Sequence, residues 1–173
     1  MGLLGVLFCI NDIRKAAKFK RMGKDALLTF DDEKFYEAVD CLCEAAVYDI
    51  ADEGVAKIHK LVYSLYKFEA EVNNGGLCQF FVNSSSECAP YISEALNEVG
   101  AINLKELFDN FIKENNIDVN DLSSFKITSI DEYEAQTKRF DFESFDNKFY
   151  EDIDLHQLII KYSKINIDLI LKY

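Results

Sequence analysis

Apolar residues recur at intervals of three or four along most of this chain, which is the spacing of one face of an α-helix. One proline, Pro90, and seven glycines are all that interrupt 173 residues with residue types that break helices. Their scarcity favours long helices over a turn-rich β fold. The sequence therefore predicts an all-α fold, a compact single-domain helical bundle of about six to nine helices.

Individual helices can be placed from this spacing. The first carries an apolar stripe of Leu3, Leu7, Ile10, Ile13 and Ala17. A second is predicted to begin after Asp31, an N-cap residue type, and to run through Ile50 to Gly54. A third covers about 55–72. Ser84–Ser86 suit an N-cap and Pro90 a first helical turn, Gly100 suits a C-cap, and a further helix closes near Asn115-Asn116.

The C-terminal third is less regular. An irregular acidic segment near 117–149 contains scattered phenylalanines, and an extended piece around Phe125 to Ile130 is an alternative to helix there. A last long helix is predicted from Glu151 to Lys164, because apolar residues again recur at helical spacing.

Charge divides the chain unevenly. Residues 1–30 carry six basic residues against two acidic ones, and the remainder carries 29 acidic residues against 13 basic ones. We predict a single domain, 1–173, with a basic N-terminal helix in 1–30 and an acidic helical body in 31–166. An acidic body repels nucleic acid and attracts basic surfaces. The predicted partner-binding carboxylates are those that bunch in sequence: Asp31, Asp32, Glu33, Asp49, Asp52, Glu53, Asp131, Glu132, Glu134, Asp141, Glu143, Asp146, Glu151, Asp152 and Asp154.

The sequence offers little for catalysis, cofactors or metals. The five cysteines lack C-x-x-C spacing, which favours core thiols in a reducing, cytoplasmic compartment. His59 and His156 have no local metal or catalytic signature, so structural or surface roles are expected. The opening apolar run is too short to span a membrane and lacks the features of a signal peptide. No enzymatic activity, cofactor, metal or membrane partner is therefore predicted.

Direct binding to nucleic acid is also not expected. Aromatic residues are plentiful, but they fall on helical core stripes without the interleaved basic residues that hold a phosphate backbone. A basic protein is the more suitable partner for this chain.

The segment 69–86 combines a sharp break with amides placed among large aromatics. Asn73, Asn74, Gly75 and Gly76 tolerate conformations that end a helix. Gln79 and Asn83 lie four apart and share one helix face. We expect these amides to hydrogen-bond the broken backbone, because buried polar groups need partners. A ligand pocket formed by Glu71, Asn74 and Gln79 is the alternative.

This segment resembles the signature of the DNA-mimic-protein-like family, a bacterial domain family. The resemblance is carried by Glu71, Asn73, Asn74, Gly75, Gly76, Gln79, Phe80, Phe81 and Asn83. It extends through Glu94–Leu96, Val99–Ala101, Phe142–Tyr150, Tyr162 and Asn166, and covers roughly residues 30–166. It implies an all-helical fold, a homodimer, and an acidic surface that imitates duplex phosphates and occupies the DNA-binding face of a transcription regulator.

Four functions remain open from the sequence. The first is a DNA mimic that uses the acidic clusters against a basic DNA-binding protein. The second is an immunity-type inhibitor of a basic toxin. The third is an enzyme or small-molecule-binding domain that uses the corner between Glu69 and Asn83, and the last is a scaffold.

Overall fold

Helices account for nearly all of the regular structure. The computed structural model describes residues 3–47, 50–152 and 154–173, and for 3–12 and 152 only the backbone is described. Within these ranges there are nine α-helices and no β-strand, so the all-α prediction is confirmed. The α-helices are α1 (Leu3–Leu27), α2 (Asp32–Ala46), α3 (Lys57–Val82), α4 (Ala89–Val99), α5 (Ile102–Glu114), α6 (Ile130–Thr137), α7 (Phe142–Asp152), α8 (Leu155–Ile165) and α9 (Ile167–Ile170). Two short 3₁₀ helices lie at Ser84–Cys88 and Ser123–Phe125.

The chain divides into two compact units. Unit 1 comprises Met1–Tyr63 together with Ile159–Tyr173, and unit 2 comprises Ser64–Leu158. The boundaries fall within α3 and α8 rather than in linkers. The single-domain assignment stays a prediction.

Unit 1 is held by helix packing and by ion pairs. Helix α2 packs against α1 and against α9, and its buried face includes Phe35, Val39 and Leu42. Two basic residues of α1 pair with carboxylates inside the same unit, and the first of them is Lys15, which pairs with Glu37 at 3.1 Å. Further pairs of this unit are Lys24 with Asp168 at 2.5 Å and Lys164 with Asp32 at 2.6 Å.

Unit 2 has an aromatic core. Helix α5 packs against α4 and α7, and phenylalanines from several helices meet edge to face. Phe68 lies at the centre, with ring centroids 5.1 Å from Phe80, 5.7 Å from Phe108 and 5.9 Å from Phe149. Such pairs add to the stability that burial alone supplies. Four of the five phenylalanines of the irregular segment, Phe125, Phe142, Phe145 and Phe149, are also buried, and Phe140 is half-buried.

Several local predictions are confirmed. Asp31 caps α2, because its Oδ1 accepts a hydrogen bond from the Lys34 amide at 2.9 Å. Pro90 lies in the first turn of α4, and Gly100 ends that helix with a positive φ of 81°. Helix α5 ends at Glu114, next to Asn115 as expected.

Other boundaries were wrong for identifiable reasons. Helix α2 ends at Ala46 rather than at Gly54, although Ile50 is still buried from the turn that follows. The predicted last helix is wrong at its start: α7 runs to Asp152 and α8 begins at Leu155, while Ile153 lies outside the described residues. Asp154 marks the true start, because its carboxylate accepts from the Gln157 amide at 3.1 Å.

Three further predictions need correction. The stripe of α1 is shifted by one position, because Ile13 and Ala17 are exposed while Ala16 and Phe19 are buried; Leu3, Leu7 and Ile10 have no described side chains. Ser84–Ser86 do not cap α4 but form a 3₁₀ helix, and Cys88 occupies the N-cap position. The alternative of an extended piece around Phe125 to Ile130 holds only in part: Lys126 and Ser129 have extended φ and ψ, but Phe125 ends a 3₁₀ helix and α6 begins at Ile130.

In the described part of the chain, no helix has the length and apolarity needed to cross a membrane.

Candidate functional site

The predicted break in α3 is located at two glycines. Gly76 has φ 79° and ψ 178°, a conformation open essentially to glycine alone. Gly75 has an extended φ of −160°, yet a Cβ there would lie 2.0 Å from the Gln79 Oε1. Helical residues resume at Leu77, so the chain turns sharply at the glycines and continues as helix to Val82.

Beside this break, the Glu71 carboxylate accepts three hydrogen bonds from side chains. Gln79 Nε2 donates to Oε2 at 2.7 Å, and Asn83 Nδ2 donates to the same oxygen at 2.8 Å. Ser85 Oγ donates to Oε1 at 2.9 Å. The shared face of Gln79 and Asn83 is confirmed, but their amides bind a carboxylate rather than the broken backbone. Ser85 was not expected here, since its position suggested a helix cap.

The broken backbone is bound instead by residues of α7. The Leu77 amide donates to Asp146 Oδ1 at 2.8 Å, which satisfies one of the donors exposed where the helix restarts. Burial raises the pKa of the Asp146 carboxyl, and the hydrogen bond from Leu77 opposes that shift. On the other side of the break, the Tyr150 hydroxyl donates to the Val72 carbonyl at 2.5 Å.

This corner is therefore filled by the protein's own side chains. A Cβ at Gly76 would lie 2.2 Å from Asp146 Oδ2, so the carboxylate closes directly over the glycine. Phe80 and Phe81 are buried in the aromatic core, while Asn73 and Asn74 are exposed. The geometry favours a structural corner, and the alternative of a pocket that joins Glu71, Asn74 and Gln79 has no support from it.

Removing the Glu71 carboxylate tests this assignment. We expect Glu71→Ala to lower the free energy of unfolding by about 2 kcal/mol, because Ser85 is buried and half-buried Gln79 would also lose its acceptor. Urea denaturation followed by circular dichroism measures the change. The matched control is Glu143→Ala, an exposed acid of the same unit that should change stability by less than about 0.5 kcal/mol. Equal effects of both variants would show that the network contributes nothing.

The cysteines have the predicted core positions where they are described. Cys41, Cys43, Cys78 and Cys88 are buried and free. Burial raises the pKa of Cys78 to about 11 and that of Cys88 to about 12, so both thiols are protonated at neutral pH. The side chain of Cys9 lies outside the described residues.

The two histidines each make a contact within their own unit. Buried His59 has its Nε2 2.9 Å from the Ile170 carbonyl, which is a structural contact within unit 1. His156 Nδ1 lies 3.8 Å from the buried Glu69 carboxylate in unit 2. Across 3–47, 50–152 and 154–173, no group of three His, Cys, Asp or Glu side chains is placed to hold a metal.

The two units differ sharply in charge. Unit 1 contains 12 acidic and 12 basic residues and has no net charge. Unit 2 contains 19 acidic and 7 basic residues, so it carries the entire net charge of −12. The basic helix of residues 1–30 is thus neutralised within its own unit, and the acidic excess belongs to Ser64–Leu158.

The predicted partner-binding carboxylates fall into both units. Asp31, Asp32, Glu33, Asp52 and Glu53 belong to unit 1, and Asp49 lies outside the described residues. In that unit Asp31 caps α2, Asp32 pairs with Lys164, and Asp52 accepts from the Gly54 amide at 2.7 Å. Unit 2 holds the rest: Asp131, Glu132, Glu134, Asp141, Glu143, Asp146, Glu151, Asp152 and Asp154.

Within unit 2 these acids differ in what they contact. Asp146 is half-buried and binds Leu77, so it belongs to the corner. Glu132 accepts from the Thr128 amide, and Asp141 accepts from the Ser144 amide at 3.1 Å. The exposed members whose carboxylates make no hydrogen bond or ion pair with another described residue are Asp131, Glu134, Glu143 and Glu151.

These features define an all-helical protein with a strongly acidic unit, in which Asp146 and Tyr150 hydrogen-bond the backbone on either side of a glycine break. The family model of DMP19-like proteins matches residues 53–166, more than half of the chain. The chain therefore belongs to this family of DNA-mimic-like proteins, and the resemblance seen in the sequence is confirmed, with a match that begins at residue 53 rather than near residue 30. No curated protein and no solved structure matches it.

Proposed function

We propose that this protein is a DNA mimic whose unit 2 binds the DNA-binding surface of a basic protein, such as a transcription regulator. The observation that carries the proposal is the confinement of the whole net charge of −12 to unit 2. Membership of the DMP19-like family supports it. A surface of this charge attracts Lys and Arg side chains that otherwise hold phosphates.

The exposed acids of α7 have a spacing suited to this role. Glu143 and Glu151 lie eight residues apart, on the helix face opposite the buried Phe145 and Phe149. Eight residues of α-helix rise about 12 Å, a distance over which duplex DNA presents several phosphates. Because neither carboxylate contacts another described residue, both are available to basic side chains of a partner.

This proposal narrows the set of partner-binding residues. Asp131, Glu134, Glu143 and Glu151 of unit 2 supply the exposed charge, whereas Asp154 caps the start of α8. Asp31 and Asp32 serve the fold of unit 1, because one caps α2 and the other pairs with Lys164. Asp146 serves the fold of unit 2.

Competition with DNA is the test. The protein, immobilised, is used to capture binding proteins from a host lysate at low salt, and elution by duplex DNA is compared with elution by an uncharged polymer. We expect a basic DNA-binding protein to be retained, to be released by DNA, and to bind more weakly as salt rises. Retention of a partner that duplex DNA does not displace would contradict mimicry.

A pair of charge variants assigns the binding to unit 2. Glu143→Gln with Glu151→Gln removes two exposed charges of unit 2, and Asp25→Asn with Glu53→Gln removes two exposed charges of unit 1. We expect the first pair to weaken binding about tenfold or more, since a close interfacial charge pair is worth about 1.5 kcal/mol or more. The second pair has the same net charge and should bind like the wild type; equal losses would instead indicate a nonspecific effect of net charge.

The remaining functional predictions are proposals of the same kind. We propose that the protein acts without catalysis, without a cofactor and without binding nucleic acid itself. The homodimer and the cytoplasmic location stay predictions, and native mass spectrometry measures the first directly.

A further inference from the structure

An open apolar groove lies at the start of α6. It is lined by Ile127, Thr128, Ser129, Ile130 and Tyr133, and its volume is about 430 Å³. Ile130 is 78% exposed, the highest fraction among the exposed large apolar side chains that the structure describes. An exposed isoleucine is ordinary by itself, but here Ile127, Ile130 and Tyr133 together line one open groove that a partner's apolar side chain can enter.

The backbone around this groove is held in place. Glu132 accepts hydrogen bonds from the Thr128 amide and, at 3.0 Å, from the Thr128 hydroxyl. Ser129 caps α6 by accepting from the Glu132 amide at 3.2 Å. Residues 128–132 are therefore ordered before any partner binds, which reduces the entropic cost of binding there.

The groove also lies in a negative environment. Asp131 and Glu134 flank Ile130 on the same short helix, and their exposed carboxylates contact no other described residue. Tyr133, on the groove wall, has its pKa raised first by burial and then by the nearby Cys78, Asp146 and Glu71.

Basic residues occur in the same stretch, but the guanidinium of Arg139 is directed towards aromatic rings. It lies 4.8 Å from the Phe140 ring centroid and 5.2 Å from that of Phe125, and it donates to the Ser124 carbonyl at 3.1 Å. Lys138 follows the C-terminal end of α6, where a positive charge complements the helix dipole. Lys126 is the basic residue adjacent in sequence to the groove.

We propose that this groove receives an aliphatic or aromatic side chain of the basic partner, with Lys or Arg residues of that partner facing Asp131 and Glu134. The inference rests on the proposed function and adds an apolar contact to it. Charge complementarity identifies the occupant, because an apolar centre inside an acidic rim matches an apolar residue flanked by basic ones. Duplex DNA has no such groove between its phosphates. The groove would therefore give the partner an apolar contact that imitation of phosphate charge alone does not supply.

Two synthetic peptides of equal charge test the groove. One has a central leucine between four lysines on each side, and the other has serine in place of the leucine. We expect wild-type protein to bind the leucine peptide about tenfold more tightly, which corresponds to partial burial of one leucine side chain. In an NMR titration, the amide signals of residues 127–134 should shift with the leucine peptide and much less with the serine peptide.

A matched pair of variants completes the test. Ile130→Ser should abolish the preference for leucine while leaving the salt-dependent binding of the serine peptide intact. Ile165→Ser removes an isoleucine of unit 1 that is 72% exposed, and should preserve the preference. Equal binding of both peptides to wild-type protein overturns the groove and leaves the charge-based function standing. Binding of neither peptide at low salt overturns the charge-based function itself.

Discussion

Replacing Gly76 with alanine is expected to lower the free energy of unfolding by about 3 kcal/mol or more. One part of this loss is backbone strain, because φ 79° with ψ 178° is a conformation that residues with a Cβ rarely adopt. The other part is a collision, since the new Cβ would lie 2.2 Å from Asp146 Oδ2. If Asp146 moves away, the Leu77 amide loses its acceptor.

The chain offers a control that separates these two parts. Gly23 in α1 has nearly the same backbone conformation, φ 75° and ψ 173°, but a Cβ at this position would meet no other atom within 4 Å. Gly23→Ala should therefore show the strain alone, about 1–3 kcal/mol. Urea denaturation of both variants measures the difference. Identical losses would mean that the Asp146 contact carries no cost, and Asp146→Ala combined with Gly76→Ala would then show no coupling.

The second large effect is expected at the centre of the aromatic core of unit 2. Phe68→Ala should lower the free energy of unfolding by about 3–5 kcal/mol, because the ring is fully buried and the cavity it leaves is lined by other large rings. Edge-to-face contacts with Phe80, Phe108 and Phe149 are lost together. Since these rings belong to α3, α5 and α7, amide hydrogen exchange in all three helices should accelerate.

The conservative variant Phe68→Leu provides the comparison. It retains most of the apolar volume and should cost clearly less than the alanine variant. A loss below about 1 kcal/mol for Phe68→Ala would show that the core repacks without this ring. Amide exchange that accelerates in α3 alone would show that the rings of α5 and α7 are held by other contacts.

The sequence predicted helix ends best where the residue that begins or ends the helix acts on its own backbone or on residues close to it in sequence. Asp31 caps α2 through an amide three residues away, and Gly100 ends α4 through its own conformation. The glycine break in α3 belongs to the same class. Predictions failed where a residue is used differently from what its type suggests: Ser85 binds Glu71 instead of capping a helix, and Ile50 is buried although α2 ends before it.

The candidate site divides in the same way. The motif residues from Glu71 to Asn83 were identified from the sequence, including the shared face of Gln79 and Asn83. The side chains that bind the backbone at the glycine break were not assigned to it, because Asp146 lies 69 residues from Leu77 and Tyr150 lies 78 residues from Val72. The sequence does not show which of its many carboxylates will be buried against a backbone amide.

The sequence by itself determined that this protein is helical, acidic and a member of its family, because helical periodicity, net charge and a continuous motif are all properties of neighbouring residues. Tertiary structure decided where the charge resides. In sequence, the chain divides at residue 30 into a basic start and an acidic remainder. In the fold, residues 159–173 join residues 1–63, so one unit has no net charge and the other carries −12. Packing of the C-terminal residues beside α1 brings Asp168 to Lys24, which chain order alone does not reveal.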